Sequence, residues 1–295
     1  LRNDTSSRFS GDNKSDTFPS ISAGWVVSKE DFISSDSALS WFKLKGSWGQ
    51  LGNQSLPASN PTINISSLNE SLGNYAIDGN AIATGAILSS VGNPNLRWET
   101  SEAINAGVEL GFFNDKFNVD FEWFKITTKD LITQDNSLIS TTAIDAAAPY
   151  VNSGNVENTG FDINLRYKDE TTSGWKYGFD VNFSHYKNEV TDWISEFQTG
   201  DDSFRGGAVS RTQVGQPISS FFGREVIGFT DEGRFEYRDI DGNNTIDDSD
   251  RTFIGSPHPD FTYGFNFNLG YKAFDLSLFL QGSQGNDVYN YVKIF

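Results

Sequence analysis

Hydrophobic alternation with a period of two limits what this chain can become. From Phe117 to Glu122 and on to Trp123, the residues Phe117, Val119, Phe121 and Trp123 fall on one side, and Asn118, Asp120 and Glu122 on the other. Successive side chains of a β-strand point to opposite faces, so this segment carries an apolar wall and an acidic wall. The pattern recurs where Ile104, Ala106, Val108, Leu110 and Phe112 alternate with Asn105, Gly107, Glu109 and Gly111. It returns as Phe161, Ile163, Leu165 and Tyr167 against Asp162, Asn164 and Arg166, and as Phe179, Val181 and Phe183 against Asp180, Asn182 and Ser184. Phe261, Tyr263, Phe265, Phe267 and Leu269 alternate in the same way with Thr262, Gly264, Asn266 and Asn268. Shorter runs at 21–27, 42–48 and 274–280 bring the strand candidates to eight. Most are near the ~9–11 residues with which a tilted strand crosses a bilayer.

The connections carry a second signal. Phe112 reaches Phe117 through Asn114-Asp115-Lys116, Tyr167 reaches Trp175 through a polar turn, and Tyr271 reaches Phe274 through Lys272-Ala273. Between these hairpins lie long polar stretches at about 50–101, 127–159 and 188–259, so short and long connections alternate. Transmembrane barrels produce that parity, with tight turns on one rim and long loops on the other. A soluble β-sandwich has no reason to keep it, and loops this long count against a compact domain. The expectation is an all-β, antiparallel transmembrane β-barrel. A secreted sandwich whose apolar strand faces make an ordinary core is the competing reading.

Composition agrees with a barrel by exclusion. No apolar run approaches the ~20 residues of a membrane helix, and the mean hydropathy of -0.43 suits strands that are apolar on one face only. A net charge of -17 argues against nucleic acid, whose binding needs Lys and Arg against phosphates. With no cysteine there is neither a disulfide framework nor a thiolate metal site. Catalysis finds little support. His185 and His258 are the only histidines and stand in no metal pattern, and there is no Gly-x-Ser-x-Gly elbow or P-loop. His185 is placed near the end of its strand. Glu109, Asp120, Glu122 and Asp162 read more economically as the wet lining of a lumen than as an acid–base pair.

One loop carries a metal-like spacing. Asp239-Ile-Asp-Gly-Asn-Asn-Thr-Ile-Asp-Asp-Ser-Asp250 follows the calcium loop of an EF-hand. Its ligand positions fall on Asp239, Asp241, Asn243, the Thr245 carbonyl, Asp247 (through water) and Asp250. The sixth position is Asn244 rather than Gly, though Asn tolerates the left-handed backbone required there. The twelfth is the short-armed Asp250 rather than Glu. Structural Ca²⁺ is the expectation, and an Asx-rich loop closed by its own side chains is the plainer alternative.

Seven stretches, in order, resemble the SusC/RagA-like family of TonB-dependent transporters of Bacteroidota. They are Ser6–Phe9, Phe18–Trp25, Phe42–Asn53, Asn93-Pro-Asn-Leu-Arg-Trp-Glu-Thr100, Asn152-Ser-Gly-Asn-Val-Glu-Asn-Thr-Gly-Phe161, Arg238–Phe265 and Phe274–Gly282. The resemblance implies an outer-membrane barrel of about 22 strands with a plugged lumen. It also implies an importer of oligosaccharides or peptides that is energised by TonB and capped by a SusD-like surface lipoprotein, and that is not an enzyme. Residues 1–295 then correspond to part of that barrel, without the plug or the final strands, and 188–259 to a long extracellular loop region holding the 239–250 loop. Unpaired strand edges are prohibitive in lipid, so eight strands alone are expected to be a fragment whose chain continues past Phe295. Three other functions compete: a TonB-dependent receptor of another class, for siderophores or cobalamin, a secreted calcium-dependent carbohydrate-binding sandwich, and a glycoside hydrolase built on a carboxylate pair.

Overall fold

The computed structural model describes residues 1–33, 38–56, 60–68, 74–77, 81–135, 146–200 and 207–290, so Phe295 lies outside the described residues. Eight strands form one sheet. They are β1 (Ser20–Val26), β2 (Leu39–Asn53), β3 (Glu99–Phe112), β4 (Phe117–Lys129), β5 (Asn155–Glu170), β6 (Trp175–Asp192), β7 (Phe261–Tyr271) and β8 (Phe274–Gln284). Each lies beside its sequence neighbour, so the eight candidates make a single meander and not the two facing sheets of a sandwich. The antiparallel ladder from Trp175 opposite Tyr271 to His185 opposite Phe261 has no bulge, and the next runs unbroken from Tyr271 opposite Phe274 to Phe261 opposite Gln284. A slip of one residue would turn every side chain to the wrong face. The register therefore preserves the two walls read from the alternation.

The three predicted hairpins form. The tightest, Lys272-Ala273, places Lys272 at φ 54°, and the β3–β4 turn holds Phe113, Asn114 and Asp115 in the left-handed region at 55°, 57° and 61°. Asn and Asp accept that conformation at small cost.

The strands run further than the apolar pattern suggested. β5 has 16 residues and β6 has 18, and residues 188–192 belong to β6 rather than to the following loop. His185 is consequently well inside its strand and not near the end. The outward face of β6 changes from Phe183 to Lys187 and Glu189, which pair with each other at 2.5 Å. The hydrophobic signal stops there while backbone pairing continues.

The chain divides into two compact units. The first comprises Leu1–Ser20, Gly49–Glu102 and Thr127–Asn155 and has its own apolar core. Phe9, Phe18, Leu56, Leu96 and Trp98 are buried there, with Ile132 and Tyr150 packed against them. Trp98 stacks on Phe9 at 5.0 Å between centroids and donates its indole N–H to the Asn13 carbonyl. The Asn93–Thr100 stretch is held by Asn152, whose Oδ1 accepts the Arg97 N–H at 2.7 Å and whose Nδ2 donates to the Arg97 and Asp130 carbonyls. Two of the seven family-like stretches thus meet at one asparagine. The second unit, Ile21–Trp48, Ala103–Ile126 and Val156–Phe295, contains the two walls and the 193–260 connection.

Candidate functional site

The outer wall of the second unit is apolar and uncovered. Phe121, Trp123, Leu276, Leu278 and Leu280 are all exposed. Rings from β4 to β7 form a row toward the loop end, with centroids of Phe121–Phe161 at 6.0 Å, Phe161–Phe183 at 6.1 Å and Phe183–Phe261 at 5.4 Å. A second group sits near the hairpins, where Tyr167 packs on Phe179 at 5.4 Å and Trp175 on Tyr271 at 4.3 Å. The Trp175–Tyr271 and His185–Phe261 pairs bound the β6–β7 ladder. At ~3.4 Å per residue and a tilt of ~40°, that ladder spans about 26 Å, close to the ~25 Å apolar band of an outer-membrane barrel. Beyond the loop-end row, the same face carries the ion pair Lys125–Glu157 at 2.7 Å. Apolar surface of this extent on an isolated soluble protein would be a liability; between aromatic girdles it is a lipid face.

The inner wall is polar and laced with ion pairs. Lys43 meets Glu109 at 2.9 Å, while Lys45 reaches Asp120 at 2.8 Å and Glu122 at 3.2 Å. To do so Lys45 passes over β3 at Gly107, where a Cβ would stand 2.7 Å from the lysine Cε and 2.8 Å from the Phe121 carbonyl oxygen. Arg166 pairs with Asp180 at 2.5 Å, and Ser184 donates to Asp162. Partly exposed pairs of this kind contribute little stability. Their effect is to fix long side chains against the wall and keep its inner face polar.

The 193–260 connection builds a separate small sheet from Phe197–Thr199, Ser210–Gln213, Ser220–Arg224 and Arg251–Gly255. Arg211 lies between the rings of Phe197 and Phe222, its guanidinium carbon 3.8 Å and 3.5 Å from their centroids. Such cation–π contacts strengthen when desolvated.

The 239–250 loop hangs from this sheet by Arg224, which donates to the Asp247 carbonyl at 3.0 Å and pairs with Asp248 at 3.3 Å. Asp239 accepts the Gly242 and Asn244 N–H groups, each at 2.7 Å, and Asn244 takes the left-handed φ of 61° expected at the sixth position. Asp250 is fully enclosed, and its two oxygens accept the Ile240 and Asp247 N–H groups at 2.8 Å. The Asp247 N–H, followed by that of Ile240, holds the Asp250 carboxyl below the usual range, because both bonds favour the charged form. Of the six predicted ligands, Asp239, Asp241 and Asp250 come together, each offering an oxygen within 4.8 Å of the others. Asp247 instead caps the short turn Asp248–Asp250 by accepting the Ser249 N–H. Asn243 donates its amide to Asp241 and accepts the Thr245 N–H at 2.7 Å. Arg224 and Asn152 have structural roles that periodicity could not indicate, although Asn152 did stand inside a family-like stretch.

Residues 1–286 match the family model described as TonB dependent receptor-like, beta-barrel. The chain is 32% identical over 317 residues to TonB-dependent receptor P3 of Formosa agariphila, covering 99% of this chain and 30% of that protein. It is 29% identical over 300 residues to TonB-dependent receptor SusC of Bacteroides thetaiotaomicron, covering 98% and 29%. A solved structure of the RagAB peptide transporter superposes with a TM-score of 0.80 at 24% identity, over 96% of this chain and 30% of that one; at this identity the likeness speaks for the fold. The chain spans about 30% of the length of these curated relatives.

Proposed function

The chain belongs to the TonB-dependent receptor-like β-barrel family of outer-membrane proteins, and from that membership we propose that it supplies wall and loops to a SusC/RagA-type importer. The family's members here are receptors and transporters, and the chain is not an enzyme. One observation carries the reading: a single sheet whose outer face is an aromatic-bordered apolar band and whose inner face is ion-paired. A wall of that kind separates lipid from a wet lumen. The cargo in this proposal is an oligosaccharide or a peptide, the second suggested by the peptide transporter that the fold resembles. A SusD-like surface lipoprotein closes the loop side, and TonB delivers energy through parts of the parent protein outside this chain. Deleting the parent gene and measuring growth on single oligosaccharides or peptides tests the import reading. Purification in mild detergent tests the partner: a co-purifying lipoprotein supports it, and a detergent-independent, partnerless species overturns the proposal.

The proposal includes Ca²⁺ as a structural ion of the 239–250 loop. Two oxygens on one Ca²⁺, each at ~2.3–2.6 Å, lie at most about 5 Å apart, which the Asp239, Asp241 and Asp250 oxygens satisfy at 4.8 Å or less. Hard carboxylates with amide and carbonyl oxygens nearby suit Ca²⁺ and its flexible coordination. The ion's contribution is cohesion of the loop. Calcium titration of the full-length protein raises its Tm in this reading, and Asp239→Ala removes that rise; an unchanged wild-type Tm refutes it.

A further inference from the structure

The alternation of β6 continues past Ser184, so Tyr186, Asn188 and Val190 follow Asp180, Asn182 and Ser184 on the lumen face. That face is wet below, yet Asn188 is buried and Val190 fully enclosed. The segment Thr212–Ser220 covers them. The Val190 N–H donates to the Gln216 carbonyl at 2.9 Å, and the Val190 carbonyl accepts the Gly215 N–H at 2.8 Å. One residue of this strap, Ile218, is then gripped from two sides. Asn188 Oδ1 accepts its N–H at 2.8 Å, and the Nε2–H of His258 donates to its carbonyl at 3.0 Å. Asn188 is itself fixed through Nδ2, which donates to Asn158 Oδ1 on β5 at 2.7 Å. Within the strap, the Ser220 hydroxyl donates to the Pro217 carbonyl at 2.7 Å, and Thr212 Oγ1 accepts the Ser219 N–H at 3.1 Å.

Gly215 and Gln216 pair with the Val190 backbone along the edge of β6 that β7 leaves above His185, and from there Asn188 and His258 hold Ile218 against the upper inner face. We infer that Thr212–Ser220 is a fixed narrowing of the loop-side opening, which limits the girth of what passes along the inner face, and that Asn188 is its positioning residue. This rests on reading the inner face as a passage. It adds to that reading a place where size is selected and the side chain that sets it.

The test uses the full-length protein in cells, with a cysteine in place of Asn182, an exposed lumen-face residue below the strap. The chain has no cysteine of its own. Accessibility from outside is read with a small sulfonated maleimide and with a polyethylene glycol-linked maleimide several times larger. Asn188→Ala removes the anchor, and loss of one buried hydrogen-bonded group shifts such an equilibrium by about tenfold. The large-to-small labelling ratio rises by that order, and small-reagent labelling is unchanged. His258→Ala, which frees the Ile218 carbonyl, moves the ratio in the same direction and serves if Asn188→Ala does not assemble. An unchanged ratio in an assembled variant overturns the strap alone. Failure of the small reagent to reach position 182 in any background overturns the passage reading beneath it.

Discussion

Arginine placed at different heights on β7 should cost different amounts, and the structure states which. Phe267 lies four residues from Tyr271 and six from Phe261 on one outward row. At ~3.4 Å per residue and a tilt of ~40°, each residue climbs about 2.6 Å, so Phe267 is roughly 3 Å from the middle of the band. Phe267→Arg is therefore expected to destabilise by about 2–4 kcal/mol, whereas Phe261→Arg and Tyr271→Arg, at the borders, cost about 0–1 kcal/mol. Asn266 faces inward beside Phe267, and Asn266→Arg is expected to be nearly neutral. The assay is denaturant unfolding of the full-length protein from phospholipid vesicles, with heat-modifiable mobility to establish assembly. Comparing each arginine with alanine at the same position removes the cost of the lost ring. Equal tolerance at Phe267 and Asn266 would refute the facing, and a maximum cost at Phe261 would refute the placement of the band.

Two further outcomes test the loop regions. Trp98→Ala should destabilise the first unit by about 3–5 kcal/mol, the usual result of deleting a buried tryptophan, and it leaves the Asn13 carbonyl without its indole donor; limited proteolysis between 49 and 102 would register it, and unchanged cleavage would contradict the core. The depressed Asp250 pKa predicts acid lability of the 239–250 loop. A carboxyl lowered in the folded state contributes stability above the ordinary value of 3.8, and that contribution is lost as the pH falls through the lowered folded value. The protection of the Ile240 and Asp247 amides, taken relative to intrinsic exchange at each pH, should thus fall only below about pH 4, and Asp250→Asn should abolish that fall; loss of protection already near neutral pH would refute the assignment.

The amino-acid sequence by itself determined the two-faced wall. Cβ atoms alternate along a strand, so Phe121 against Asp120, or Phe267 against Asn266, is readable before any fold is known. Hairpin residues such as Lys272-Ala273 marked three of the neighbouring strand pairs, and the structure supplied the other four that complete the meander. The spacing of Asp239, Asp241 and Asp250 likewise anticipated that three carboxylates converge. Tertiary structure decided the remainder. Where β5 and β6 end was hidden because the outward face turns from aromatic to charged while the ladder continues through Lys187 and Glu189. Lys45 finds Asp120 across Gly107, and Trp98 finds Asn13, over separations of 75 and 85 residues that no local pattern encodes. Asn188 looks in sequence like one more polar lumen residue. Only the return of the chain, which lays the Ile218 backbone on it and brings His258 to the other side, makes it an anchor. Periodicity reports the environment of a side chain along its own strand; which distant backbone comes to lie on it depends on loop packing, to which alternation is blind.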